Sequence, residues 1–368
     1  GIITNGRQWR LYYRNCQDRS LKYFEIDLER ICLSKNKHER MQYFFYFFRN
    51  KALAKATEKS VSFLDAALKE SEAYAVQVNN SLKEKIIRQA PILTEAIMKG
   101  SNSLELDDAF KYSLYYCFRL IFVLAAESRG VLDISLDSKY HEMSLRKIAF
   151  DLREQWAEGQ DWITTSVDTY KKLKKLFSLL DQGDSGIGLI GFKSNSYASC
   201  DQNVFNKIHI SDEVINDLVL DLACDKDKSG KRLFVDYKRI SAEHLGGIFE
   251  SLLEFKPHMT KGKKVLLEGS SDRKDSGSYY TPDYVVDYML SRAIPDDANL
   301  KQFKVLDPAC GSGHFVVGAI RAISAKVAET ETTSMSLEDV RNKVAETSVY
   351  GIDRNEVAGF LQKLFFFF

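Results

Sequence analysis

Two short apolar runs, Phe303–Asp307 and Ser348–Asp353, each end in an aspartate. The first runs directly into a glycine-rich turn, Pro308-Ala309-Cys310-Gly311-Ser312-Gly313-His314. Beyond it, Val316, Ala319, Ile320 and Ile323 recur at helical spacing within Phe315–Lys326. The pattern predicts a strand, a tight turn, a helix, and a second strand parallel to the first. Glycines suit such a turn because the backbone must approach a ligand closely and adopt positive φ. The N–H groups of the turn and the helix N-terminus then favour a carboxylate or phosphate. An acidic residue closing the second strand can accept both hydroxyls of a ribose. Together these are the layout of a nucleotide-cofactor site. The interval from Asp307 to Asp353 exceeds the roughly twenty residues usual in dinucleotide folds. An extra helix at Ser336–Glu346 accounts for it, with Ser336 and Asp339 suited to a capping box.

Composition narrows the setting. The 368 residues suffice for two or three domains, and 45% apolar with 28% charged residues is ordinary for a globular protein. Six scattered cysteines form no Cys-x-x-Cys pair, which points to a reducing, cytoplasmic compartment without a zinc ribbon or other metal site. No apolar run reaches the roughly 18 residues of a membrane span, and no signal peptide is evident. Net charge is +1, but residues 1–60 carry 13 Lys/Arg against 6 Asp/Glu, and residues 256–274 carry six basic and two acidic residues. Such patches suit a phosphate backbone, and equally suit solvated faces.

Along the chain, Ile2–Tyr13 reads as a hairpin around Asn5-Gly6, with Trp9 in its core, and a further strand is expected near Lys22–Ile26. From about Glu39 to Gly130 the chain reads as helical, most clearly at Glu105–Arg129 with Gly130 as C-cap. There Arg119, Glu127 and Arg129 are placed to pair across helical turns. Helices are also expected at Leu145–Glu158, Val167–Leu180, Asp212–Cys224 and Asp283–Ala293, and Leu245, Ile248, Phe249 and Leu252 form an apolar helical stripe. Gly186–Gly191 and Asp225–Gly230 read as turns rather than as a dinucleotide fingerprint or a calcium loop, because the spacing fits neither.

Gly277-Ser278-Tyr279-Tyr280-Thr281-Pro282, then Val305–Gly313, then Val349–Asp353 resemble, in that order, motifs X, I and II of the amino-group (N6-adenine) DNA methyltransferases. The type IIG, Eco57I-like enzymes, which fuse restriction and modification in one chain, are the nearest likeness. A phage-defence methyltransferase of the PglX type shares these motifs. Phe118–Leu132 and Leu245–Glu254 resemble the connector helices of type IIG enzymes. Thr4-Asn5-Gly6-x-x-Trp9-x-Leu11-Tyr12 looks like the last strands of the nuclease domain that opens many such proteins. The resemblance implies a mostly α-helical connector, a short N-terminal β-hairpin, and the start of an α/β Rossmann-like class I methyltransferase domain. The expected division is the end of a nuclease-like domain at 1–38, a helical connector at 39–240, and the first part of the methyltransferase domain at 241–368. It further implies S-adenosylmethionine as cofactor, double-stranded DNA as partner with no membrane association, and Tyr280, Thr281, Pro282, Asp307, Ala309, Gly311, Gly313 and Asp353 as cofactor-binding residues.

The chain departs from the family in one respect. Its five prolines, Pro91, Pro257, Pro282, Pro295 and Pro308, leave no Asn-Pro-Pro or Asp-Pro-Pro, the motif that in the family engages a flipped adenine. No residue is therefore a catalytic candidate. The terminal Phe365–Phe368 run departs from the amphipathic helix expected there, as in a truncated or frameshifted sequence. The expectation is a segment of a site-specific adenine-N6 DNA methyltransferase, alone or joined to an endonuclease. The alternative is a non-catalytic remnant or DNA-binding scaffold. A dinucleotide oxidoreductase fits poorly, since Asp307–Gly313 is not its fingerprint.

Overall fold

The computed structural model describes residues 1–368 except 13–22, 34–36, 55–60, 102, 158, 160–167, 188, 190, 192–203, 206, 228–229, 241, 253–254, 270–280, 282, 296–302, 331–335, 356 and 358–368. It divides into two compact units, Gly1–Val76 and Gln77–Phe368.

The first unit opens with an antiparallel sheet of β1 (Ile2–Thr4), β2 (Gln8–Tyr12) and β3 (Tyr23–Asp27), in that order. The expected hairpin is present, but its tight turn lies one residue later than Asn5-Gly6. Asn5 N–H donates to the Gln8 carbonyl, so Gly6 and Arg7 are the two central residues, and Gly6 takes φ +88°. The Asn5 side chain stays in the turn as an acceptor for the Arg7 and Gln8 amides. Short helices α1 (Leu28–Leu33), α2 (Lys37–Phe48) and α3 (Asn50–Leu53) follow. The Trp9 ring meets Phe44 and Phe48 of α2 edge-on at 5.1 and 5.6 Å, and Phe24 stacks on Phe47 at 4.0 Å. Part of the local positive charge is neutralised, because Arg7 pairs with Asp27 and Glu29 and Arg10 with Glu25.

The second unit is built around α5 (Leu106–Arg129). Nearly every residue from Ala109 to Glu127 is buried, not one stripe only. By length and composition α5 could cross a membrane, which qualifies the sequence expectation of no such segment; here it is enclosed by protein. Around it lie α4 (Phe63–Gly100, from Gln77 on in this unit), α6 (Leu145–Ala157), α7 (Asp168–Gln182) and α8 (Asp212–Ala223). Gly130 closes α5 at φ +76°, as expected.

Two buried carboxylates fix how these helices meet. Glu127 does not pair along α5 as the sequence suggested. Its carboxylate accepts the Leu145 and Arg146 amides at 2.7 and 2.8 Å and the Tyr140 hydroxyl at 2.7 Å, capping α6 from a neighbouring helix. Asp212 does the same for α7, accepting the Asp168 and Tyr170 amides at 2.7 and 3.1 Å. Neither cap is local in sequence, so neither follows from a Ser/Thr/Asp signal at the helix start.

Short hairpins follow: β4 (Cys224–Lys226) with β5 (Arg232–Phe234), then, after α9 (Ala242–Leu252), β6 (Phe255–Met259) with β7 (Val265–Gly269). The first replaces the simple turn expected at Asp225–Gly230. The second has no counterpart in the sequence expectations; Pro257 sits in it, and β6 is an edge strand that can hold a proline. The unit continues with α10 (Asp283–Ala293), β8 (Val305–Asp307), α11 (His314–Thr330), α12 (Leu337–Thr347) and β9 (Val349–Gly351). Ser336 and Asp339 form the expected capping box on α12. The expected helices at 145–158, 167–180 and 212–224 match α6 to α8 within a residue or two among the described residues, and α9 begins three residues before the apolar stripe expected from Leu245.

Burial pushes the Glu127 carboxyl up to about 7 against the pull of its three donors. A carboxyl whose folded pKa is raised contributes stability that is full below the ordinary carboxylate range and is lost as pH rises through about 7. Glu127→Gln keeps an acceptor oxygen and does not titrate. The melting temperature of the native protein, relative to this variant, should therefore fall between about pH 5 and pH 8. Parallel melting profiles would show that Glu127 is ionised throughout.

Candidate cofactor site

Strands β8 and β9 are parallel, with Val305↔Val349, Leu306↔Tyr350 and Asp307↔Gly351 in register. The connection between them is helical, α11 followed by α12; α11 packs on both strands, and α12 packs on β9 and on α11. A parallel pair needs such a crossover. Val349 and Val305 face the helices, beside the cluster formed by Cys310, Val316, Ala319, Ile320, Ile323, Val340 and Val344. Helix α10 joins the same cluster through Val286 and Leu290, and Ile294 just beyond it adds to the contact. It lies close against Gly318 of α11, where an added Cβ would come within 2.8 Å of Leu290.

The loop after β8 is held against the end of β9 by a short series of bonds. Ile352 N–H donates to the Asp307 carbonyl at 2.9 Å, and Cys310 N–H donates to the Ile352 carbonyl at 3.0 Å. These extend the strand pairing past its formal ends. Gly311 N–H then donates to Asp353 Oδ2 at 2.8 Å, while Asn355 N–H takes Asp353 Oδ1 at 2.7 Å. Asp307 Oδ1 accepts the Ala309 amide at 3.1 Å, folding the loop back over its own strand. Gly311 and Gly313 take φ +53° and +93°, a region where a side chain is strained. The two glycines thus serve the loop as the sequence predicted. Gly313 N–H closes onto the Cys310 carbonyl at 2.8 Å, and its own carbonyl starts α11 by accepting Val317 N–H.

The structure therefore brings Asp307, Ala309, Gly311, Gly313 and Asp353 together at one end of the parallel pair. Thr281 is half-buried two residues before α10 begins, whereas Tyr280 and Pro282 lie outside the described residues. Sequence reasoning missed two members. Glu250 on α9 reaches the loop and accepts the Ser312 hydroxyl at 3.2 Å; in the sequence it stood only as part of the Leu245–Glu254 connector resemblance. Asn355 continues the loop after β9, accepting Val357 N–H at 2.9 Å. Three carboxylates, Asp307, Asp353 and Glu250, thus surround a loop whose neighbouring sequence, Val305–Ile320, holds no Lys or Arg. The carboxylates suit cationic groups and ribose hydroxyls, while the loop amides and the start of α11 suit a carboxylate.

Residues 265–367 match the family described as N-6 DNA Methylase. All the site residues named above except Glu250 fall inside that span. Over 91 residues the chain is 34% identical to the adenine-specific methyltransferase PglX of Streptomyces coelicolor, a stretch that is 23% of this chain. The match spans only 7% of that relative's length. Among solved structures, a modification subunit assigned to a type I restriction enzyme from Vibrio vulnificus is 18% identical, covering 79% of this chain and 52% of that one, with a TM-score of 0.33. At that level the likeness carries no argument about fold or function.

Burial first, and then the Asp353 and Asp307 charges, push the Cys310 thiol up to about 11. Iodoacetamide labelling of Cys310, followed by peptide mass spectrometry, should stay low up to about pH 9 and rise steeply above it. Asp353→Asn removes one negative neighbour and should shift that rise to lower pH. Rapid labelling at neutral pH would place the thiol elsewhere than against these carboxylates.

Proposed function

We propose that this chain is a segment of an S-adenosylmethionine-dependent adenine-N6 DNA methyltransferase of a restriction–modification or phage-defence system. The observation that carries the reading is the junction of the glycine loop with Asp353 inside the segment matching the N-6 DNA methylase family. The type IIG assignment, with a nuclease-like end at 1–38, a connector at 39–240 and a Rossmann-like methyltransferase start at 241–368, belongs to the same proposal.

The residues present fit the cofactor. When bound, S-adenosylmethionine supplies an electrophilic methyl group on a sulfonium. Asp353 closes β9 with both carboxylate oxygens facing backbone amides, and each oxygen keeps a further lone pair for a ribose hydroxyl. Asp307 and Glu250 place negative charge beside the loop, which favours a ligand carrying a sulfonium and an ammonium over a phosphate ester. The turned backbone at Gly311 and Gly313 allows close approach without a Cβ in the way. Ala309 is exposed on the same loop. Thr281, with Tyr280 and Pro282, is proposed to complete the methionine end. Methyl transfer itself is assigned to no residue of this chain, since no Asn/Asp-Pro-Pro motif occurs in it.

Isothermal titration should detect S-adenosylmethionine binding to the chain, and Asp353→Ala should weaken it at least about tenfold, the equivalent of about 1.4 kcal/mol. Binding undiminished by this substitution would remove Asp353 from the site. Incubation with unmethylated duplex DNA and radiolabelled cofactor should give no incorporation; clear incorporation would show that the chain holds a catalytic group of another kind.

A further inference from the structure

The turn that joins β6 to β7 concentrates positive charge in a way that the cofactor site does not use. Thr260 closes it with three bonds: its N–H donates to the Lys264 carbonyl, its carbonyl accepts Lys263 N–H, and its hydroxyl accepts Lys264 N–H. This is a three-residue hairpin loop in which the last residue adopts the left-handed conformation, a place normally filled by glycine. Here Lys263 fills it, at φ +58°, the one non-glycine residue with positive φ among those described. Gly262 lies immediately before it. A residue with a Cβ in that conformation costs roughly 1–2 kcal/mol. The hairpin therefore holds a lysine where a glycine would be more stable, and strain of this kind marks functional positions.

Lys261, Lys263 and Lys264 are all exposed, and among the described residues none of the three ammonium groups has a carboxylate partner. The only carboxylate on the hairpin, Glu268, lies toward its base, opposite Lys256 and 3.5 Å from His258. The hairpin is firmly held, starting one residue beyond the tip. Val265 is buried and donates its N–H to Glu95 Oε1 at 2.8 Å, β6 packs on α5, and Leu267 packs against the core. The tip thus presents three exposed lysines within four residues on an anchored hairpin.

We propose that this tip contacts the phosphate backbone of duplex DNA, an inference that rests on DNA being the partner of the adjacent methylase-matching segment. Strand β7 opens that segment. Lysine ammoniums are point charges without the fork that reads a base edge, so the contact positions DNA and is independent of its sequence.

Fluorescence anisotropy of the full chain with two fluorescein-labelled duplexes of unrelated sequence, over a salt series, tests this. The combined variant K261Q/K263Q/K264Q should bind both duplexes at least about tenfold more weakly, with the slope of log affinity against log salt less steep by about 0.9 for each phosphate left without its lysine. Lys263→Gly separates charge from folding. It relieves the left-handed strain and should melt higher, yet still bind DNA more weakly with a shallower salt slope; Lys263→Arg should bind as the native chain does. Unchanged affinity and slope in the triple variant would overturn the proposal, as would a native chain that binds neither duplex. S-adenosylmethionine titrations on the same proteins keep the two readings apart. Lysine-dependent DNA binding without any cofactor binding would sustain the hairpin's role and remove the cofactor site.

Discussion

Burying helix α5 from all sides is the constraint around which the second unit is organised. A 24-residue helix that shows no broad polar face must be surrounded, and the helices that surround it need their own ends satisfied where water is scarce. Local caps cannot serve when the helix start is itself packed. Glu127 and Asp212 solve this by reaching from one helix to the first amides of another. Each couples a favourable helix-dipole interaction to the packing angle of two helices. The same two carboxylates would be costly if left unpaired, so they also select against alternative arrangements of the bundle.

The candidate site depends on a smaller device of the same kind. The β8–β9 pair is only three residues deep, yet Ile352, Cys310 and Gly311 extend its bonding into the loops. The glycine loop is thereby tied to the acidic end of β9 before any ligand arrives. Preorganisation of this sort lowers the ordering cost of binding. It also explains why the glycines and Asp353 belong together although 42 residues separate Gly311 from Asp353.

Much of this is legible in the chain, for identifiable reasons. The β8 loop, α11 and β9 are readable because glycine, aspartate and apolar spacing have few alternative uses in that order. The capping box at Ser336 and the C-cap at Gly130 are local motifs, so the sequence alone locates them. What it hides is non-local or weakly patterned. Glu127 is spaced to pair along its own helix, but its partners are amides 18 and 19 residues away. The β6–β7 hairpin carries Pro257 and an irregular alternation, and a lysine at its left-handed position hides the usual glycine signal. Glu250 enters the site only through tertiary packing of α9. The Asn5-Gly6 turn is displaced by one residue, since Gly6 serves as well at the first central position as at the second.

The proposed cofactor site joins the loop after β8 to the end of β9. Amide NMR of the labelled chain on addition of S-adenosylhomocysteine tests it most directly. Shifts should concentrate at residues 307–314 and 351–355, with Gly311 and Asn355 moving together because both donate to Asp353. Saturable binding that leaves those amides unmoved, or no binding at all, would contradict it.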